Sequence, residues 1–239
     1  MPSAAAPTNR RHSRRARTWL RERGLPRLTA TPFVALYLIV SWAIYLPLVR
    51  PRGGRFSIDK EPIEQLLYSI PDLSEDRLGV LRSLLAAPFL NHNLLQLLYV
   101  TGLLLLFGAA VERGLGARST ALFFFGTTLV AAIGAGLLLH LIYPDLSDRP
   151  IFVRAWEKTW SGGSAGCFGL MGVLAARSPR PGRLLVLFVA WELVVLAAYL
   201  RNYTSAFHLI ALVTGFLVAR FLPSSDREGE RGAAAPTAA

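Results

Sequence analysis

The chain is 239 residues long, 53% hydrophobic and only 17% charged, with a formal net charge of +11. A soluble domain carries nearer a quarter charged residues, so these proportions favour a polytopic membrane protein. The single cysteine, Cys167, excludes an internal disulfide framework and a cysteine-rich metal site. The positive charge is gathered in a basic N-terminal stretch and a few turns, which reads as membrane topology and argues against a nucleic-acid partner.

Residues 1–31 carry Arg10, Arg11, Arg14, Arg15, Arg17, Arg21, Arg23 and Arg27 against the single acid Glu22. Ser13-Arg14-Arg15 touches the twin-arginine export pattern, but the apolar run begins only near Phe33 and more spans follow. A basic tail with affinity for anionic lipid is therefore expected. The first span is predicted over Phe33–Val49, followed by a mixed-charge loop over residues 50–86. Pro62–Ile70 and Arg77–Leu85 within that loop have apolar residues at helical spacing and read as short interfacial helices. A second span over Phe89–Val111 begins with an unusually polar run that includes Asn91, His92, Asn93 and Gln96. The third covers Ala121–Tyr143, and the loop after it offers Trp156 and Trp160 as headgroup anchors.

A glycine-rich stretch, Ser161 to Gly172, opens a fourth span over Ser164–Ala176 that is too short to cross a bilayer alone. The fifth and sixth spans are predicted over Leu184–Leu200 and Ala206–Leu222, and residues 223–239 form a polar tail. The expected architecture is thus an all-α, six-span membrane domain over residues 32–222, flanked by two tails. With six spans, Arg113, Arg118, Arg177, Arg180 and Arg183 fall on the same side as both termini, which the positive-inside rule makes cytoplasmic. The arginine- and alanine-rich composition fits a GC-rich genome, and the expected location is a bacterial inner membrane.

This topology brings the first turns of the second, fourth and sixth spans to similar depth. They hold Asn91, His92, Asn93 and Gln96, then Ser164, then His208. An ionisable side chain inside a span is costly and is a functional hypothesis by default. An imidazole within reach of a serine hydroxyl can activate it for acyl transfer. Taken alone, Ser164 among glycines is equally what close helix packing requires. Gly166, Gly169 and Gly172 on the fourth span, and Ala211 and Gly215 on the sixth, offer small-residue faces for that packing.

These residues resemble the rhomboid family of intramembrane serine proteases. The likeness runs through Gly162-Gly163-Ser164-Ala165 with Phe168, Gly169 and Gly172, and through Phe207-His208-Leu209-Ile210-Ala211 ending in Gly215. The stretches from Ala87 to Tyr99 and from Leu104 to Gly116 are similar to the family's second span and the turn after it. The resemblance implies Ser164 as nucleophile, His208 as general base and no cofactor or metal. It also implies an oxyanion site supported by the Ser164 amide, Gln96, Asn91, Gly162 and Gly163. Its implied partners are membrane lipid and transmembrane protein substrates, cut at small, helix-destabilising residues. It makes Phe168, Trp191 and Glu192 candidates for a substrate gate, while Glu192 read by itself is either a protonated packing partner or a group facing a watery interior.

The chain also departs from the family pattern. Asn91, Gln96 and Val100 stand where the second span has two histidines and an asparagine, and Val100 has no side-chain donor. Ala165 replaces a glycine, Phe207 an alanine and Ala211 a glycine. Two functions therefore remain open: an active intramembrane endopeptidase, and a weak or inactive relative that binds membrane clients. A small transporter is a third class, but no repeat of hydropathy supports it.

Overall fold

The computed structural model describes residues 30–52, 55–198 and 203–221, so the predicted C-terminal tail and all but the last two residues of the N-terminal one lie outside the described residues. Six apolar helical segments form the body of the molecule. The first is α1 (Pro32–Leu48). A hairpin of β1 (Val49–Arg52) and β2 (Arg55–Ile58) follows, antiparallel with Val49 opposite Ile58. The long loop then makes a 3-10 turn over Glu61–Leu66, a single-turn α2 (Asp72–Glu75) and α3 (Arg77–Ala86). The second apolar segment, Leu94–Leu115, consists of α4 (Leu94–Leu103), a π-turn over Leu104–Gly108 and α5 (Ala109–Leu115). The remaining elements are α6 (Ala117–Leu146), α7 (Pro150–Glu157), α8 (Ser164–Ala176), α9 (Pro181–Ala198) and α10 (Thr204–Phe221).

Four of these segments are long and apolar enough to cross a membrane, while α1 and α8 are shorter. The brevity of α8 follows from its position. Every residue from Ser164 to Val173 is buried, so other helices and not lipid surround it. It packs chiefly on α10 and α6. A side chain added at Gly172 would strike the Leu212 carbonyl and the Phe216 amide, and one at Gly215 would strike the Gly169 carbonyl. The α8 and α10 backbones therefore touch directly, as small residues permit. Gly166 and Gly169 turn to α6, where the Phe124 ring and Thr127 fill the space a Cβ would need. The glycines of α8 thus serve two neighbours.

By contrast, α9 buries only Phe188 and Glu192, one turn apart on a single face, and exposes Val186, Leu187, Trp191 and Val194. Apolar side chains on α1, α6 and α10 are likewise exposed, including Leu36, Ile39, Leu122, Leu141 and Phe221. Such an extensive outer apolar surface suits a lipid surround.

The second helix starts later than predicted. Asn93 caps α4, its side-chain oxygen accepting the Gln96 N–H at 2.9 Å. Asn91 and His92 therefore precede the helix, and the helical periodicity assumed for them does not apply. The hairpin was not anticipated, and it is stitched in place by the Ile58 N–H bonding to the His92 carbonyl at 3.0 Å. Trp160, expected at the headgroups, is buried against Phe207 with ring centroids 4.7 Å apart. Glu112 accepts the Phe33 and Val34 amides at 2.7 and 3.0 Å, completing the start of α1 with a buried carboxylate.

Candidate active site

Ser164 is the first residue of α8, with Gly163 as its cap. The first intrahelical bond runs from the Cys167 N–H to the Gly163 carbonyl, at 3.1 Å. The amides of Ser164, Ala165 and Gly166 come before it, so they point out of the helix end with the positive pole of its dipole. Two links from the chain just before hold this end in place. Trp160 exchanges both backbone bonds with Tyr68, at 2.7 and 3.0 Å, and the Gly162 N–H donates to the Ala87 carbonyl at 2.8 Å. Gly162 has φ +105°, a conformation that favours glycine, and a Cβ there would run into the Gln96 carboxamide. At Gly163 the Tyr37 hydroxyl takes the space of a side chain.

His208 is on the buried stripe of α10 that also includes Ser205, Leu212, Gly215 and Ala219. The direct contact of α10 with α8 carries its imidazole to the serine, with Nε2 2.9 Å from Ser164 Oγ. Phe168, one turn along α8 from Ser164, stacks on the imidazole with centroids 4.2 Å apart and planes at 5°. The opposite ring nitrogen, Nδ1, is 2.9 Å from Glu192 Oε1 on α9. All three polar side chains are buried, Glu192 to 2% exposure. A neutral imidazole so placed can take the hydroxyl proton through Nε2, leaving an alkoxide-like nucleophile.

The gate candidates occupy different environments. Trp191 is 57% exposed on the outer face of α9. Phe168 is wholly buried behind the imidazole, and Glu192 is bonded to it, so neither stands at an opening to lipid.

The second-span residues form a clamp beside the serine. Gln96 Oε1 accepts the His92 N–H at 2.8 Å, and its Nε2 donates to the Ser161 carbonyl at 2.8 Å. The His92 ring meets Ser161 Oγ at 3.2 Å through Nε2. Partial burial, with the charges of Lys60 and Lys158 nearby, pulls the His92 pKa down to about 4, so the ring is neutral at pH 7. Asn91 is buried, its Nδ2 only 3.4 Å from the Phe89 carbonyl and its Oδ1 without a partner. That oxygen faces Gly162. Val100 is fully buried and brings no donor. Among the described residues, no group of His, Cys, Asp and Glu is arranged to hold a metal.

Ser164 also opens onto a small apolar cavity walled by Tyr68, Ala132, Trp160, Ala165 and Phe207. Two of the departures from the rhomboid pattern, Ala165 and Phe207, thus line the space beside the hydroxyl rather than the Ser164–His208 contact.

Residues 79–225, more than half of the chain, match the sequence profile of the rhomboid domain. The chain belongs to the rhomboid family. No curated protein matches it. The rhomboid family comprises in general intramembrane serine proteases, and the apolar helices of this member make it an integral membrane protein. The matched residues include α4 to α10 and with them both partners of the serine–imidazole contact. Sequence reasoning noticed Glu192 but missed its partner. A carboxylate inside an apolar span was the available signal, and helix rotation, which no local pattern encodes, was the missing information.

Proposed function

We propose that this rhomboid-family protein is an active serine endopeptidase that cleaves transmembrane proteins. The observation that carries the reading is the 2.9 Å contact between Ser164 Oγ and His208 Nε2 inside a buried site. As Ser164 Oγ bonds to the scissile carbonyl carbon, His208 Nε2 takes its proton. The imidazolium returns that proton to the leaving amine as the C–N bond breaks. Water then attacks the acyl-serine, again with His208 as base, and releases the second product.

The tetrahedral oxygen is assigned to the Ser164 amide at the α8 terminus, where an oriented donor is worth ~3–4 kcal/mol in rate. Gln96 supports it indirectly, through the Ser161 carbonyl, and Gly162 and Gly163 keep the approach free of side chains. Asn91 has an unpartnered side-chain oxygen facing Gly162. The apolar cavity beside Ser164 favours small substrate side chains, because Ala165 and Phe207 reduce its width.

The protein is assigned to a bacterial inner membrane, with residues 32–222 as the membrane domain between two cytoplasmic tails. Arg113, Arg118, Arg177, Arg180 and Arg183 lie at helix ends and in the turn after α8, at the end of that helix away from Ser164, so the positive-inside rule favours a serine towards the outer side. Cysteine substituted for Arg180 should resist an impermeant maleimide until the membrane is opened; labelling in intact cells would reverse the orientation.

The deciding experiment is labelling of the protein in membranes by a fluorophosphonate. Wild type should label and cleave a reconstituted single-span substrate, while Ser164→Ala and His208→Ala should do neither. Wild type that neither labels nor cleaves a panel of single-span substrates, or cleavage that persists in Ser164→Ala, would sink the reading.

A further inference from the structure

Glu192 is the second most informative residue of the site, and a serine–histidine pair does not account for it. A carboxylate in a membrane-embedded helix is expensive to bury. A leucine would pack α9 against its neighbours without that cost. Glu192 is nonetheless 2% exposed, and its Oε1 is 2.9 Å from His208 Nδ1. The imidazole is fixed from three directions: Ser164 at Nε2, Glu192 at Nδ1 and the Phe168 ring against its face. Three separate helices supply these groups, α8, α9 and α10. Since α9 turns only Phe188 and Glu192 inward, half of its buried contribution is this one contact.

We infer that Glu192 is a positioning residue that converts the Ser164–His208 pair into a serine–histidine–glutamate triad within the membrane. The inference rests on the protease reading above. Its chemistry is a matter of which nitrogen holds the proton. Nε2 must be unprotonated to accept from Ser164 Oγ, so the resting ring must carry its proton on Nδ1. A carboxylate oxygen at Nδ1 accepts that N–H and selects this tautomer. When Nε2 takes the serine proton, the ring becomes an imidazolium with Nδ1–H still pointing at Glu192, whose negative charge then stabilises it. No proton passes to the glutamate, and the same charge balance holds when Nε2 releases its proton to the leaving amine.

A purely structural role would instead make Glu192 a pin between α9 and α10, affecting stability and not turnover. The substitution that separates the two is Glu192→Gln, which keeps size and hydrogen-bonding but removes the charge and allows the amide to donate to Nδ1, favouring the wrong tautomer. Cleavage of a reconstituted single-span substrate should lose ~10²- to 10⁴-fold in kcat, with KM within a few-fold of wild type. Thermal unfolding in detergent should remain close to wild type. Nitrogen-15 spectra of histidine-labelled protein should show His208 protonated on Nδ1 in wild type and shifted towards Nε2 in Glu192→Gln.

The spectra can be recorded in a Ser164→Ala background, so they report on Glu192 even if no proteolysis is found. Absence of labelling and cleavage in wild type would therefore refute the protease, while a His208 ring not protonated on Nδ1 would refute the triad. Wild-type kcat in Glu192→Gln would also overturn it, as would a loss of stability with no change in kcat. If Glu192→Gln fails to fold, the wild-type spectrum decides alone.

Discussion

The two halves of the site are built differently. On one side, Ser164, His208 and Glu192 form a continuous buried chain with both contacts at 2.9 Å. On the other, Asn91, Gln96 and Val100 offer one underpartnered amide, one amide fully engaged in a clamp and one hydrocarbon. The first half depends on backbones in contact, because α8 and α10 meet through Gly169, Gly172 and Gly215. The second depends on side chains at the start of α4, with Gln96 and Val100 on the helix and Asn91 in the turn ahead of it. On the proposed reading, the difference teaches where change is tolerated: a proton relay is lost if a helix shifts by a fraction of an ångström, whereas an oxyanion site retains a backbone donor when its side chains vary.

Substitutions can break this contrast in order of expected effect. Ser164→Ala and His208→Ala should each reduce cleavage to background, since members of a catalytic unit fail together rather than additively. Gly215→Val should come next, through the fold, because its side chain would occupy the position of the Gly169 carbonyl. Loss of the folded form in detergent, measured by thermal unfolding, is the expected result; a normal melt would disprove the direct backbone contact. Gln96→Leu removes both ends of the clamp and should lower kcat by about 10- to 100-fold while the fluorophosphonate still labels Ser164. Labelling lost in parallel would mean that Gln96 belongs to the relay half.

Smaller effects sharpen the comparison at its edges. Phe207→Ala should widen the cavity and shift preference from small towards larger substrate side chains by about tenfold, measured as a ratio of kcat/KM values. His92 bears on the clamp alone. Its folded pKa of about 4 lies below the ordinary histidine value of 6.5, so between those values the unfolded chain binds more protons. Stability is therefore full above pH 6.5 and falls as the pH drops towards 4, by at most ~2 kcal/mol after screening. Thermal melts of wild type and His92→Asn across that window should converge at low pH; parallel curves would mean that the acid sensitivity arises elsewhere.

Much of this arrangement was legible in the sequence, for identifiable reasons. The bounds of α8 coincide with Ser164–Ala176 because Arg177 and Pro179 come directly after an unbroken small and apolar run. Ser164 and His208 could be paired because alternating spans return to the same side of a membrane. The hairpin was illegible: Arg50, Pro51, Arg52 and Arg55 show no alternation, and its four paired rows rely on contacts with His92 and Asn93 far along the chain. Trp160 was misjudged because a tryptophan near a span end looks the same whether it meets headgroups or another aromatic ring. The partner of Glu192 was hidden for a related reason, since apolar residues surround Glu192 on every side of α9 and the pattern does not say which face turns inward.

The length of α8 has a further consequence, concerning water. At ~1.5 Å per residue, 13 residues rise about 19 Å, roughly 11 Å short of a ~30 Å hydrocarbon core. In the proposed topology the charged turn at Arg177 and Arg180 belongs at the cytoplasmic boundary, which leaves Ser164 below the outer one. In the proposed hydrolysis each turnover consumes one water, which must reach that depth through the protein, since other helices and not lipid surround α8. Trp160, tied to Tyr68 by two backbone bonds, and Gly162, tied to the Ala87 carbonyl, lie beside that end of α8, and on the proposed reading the rate at which this cover admits water limits turnover independently of the serine itself.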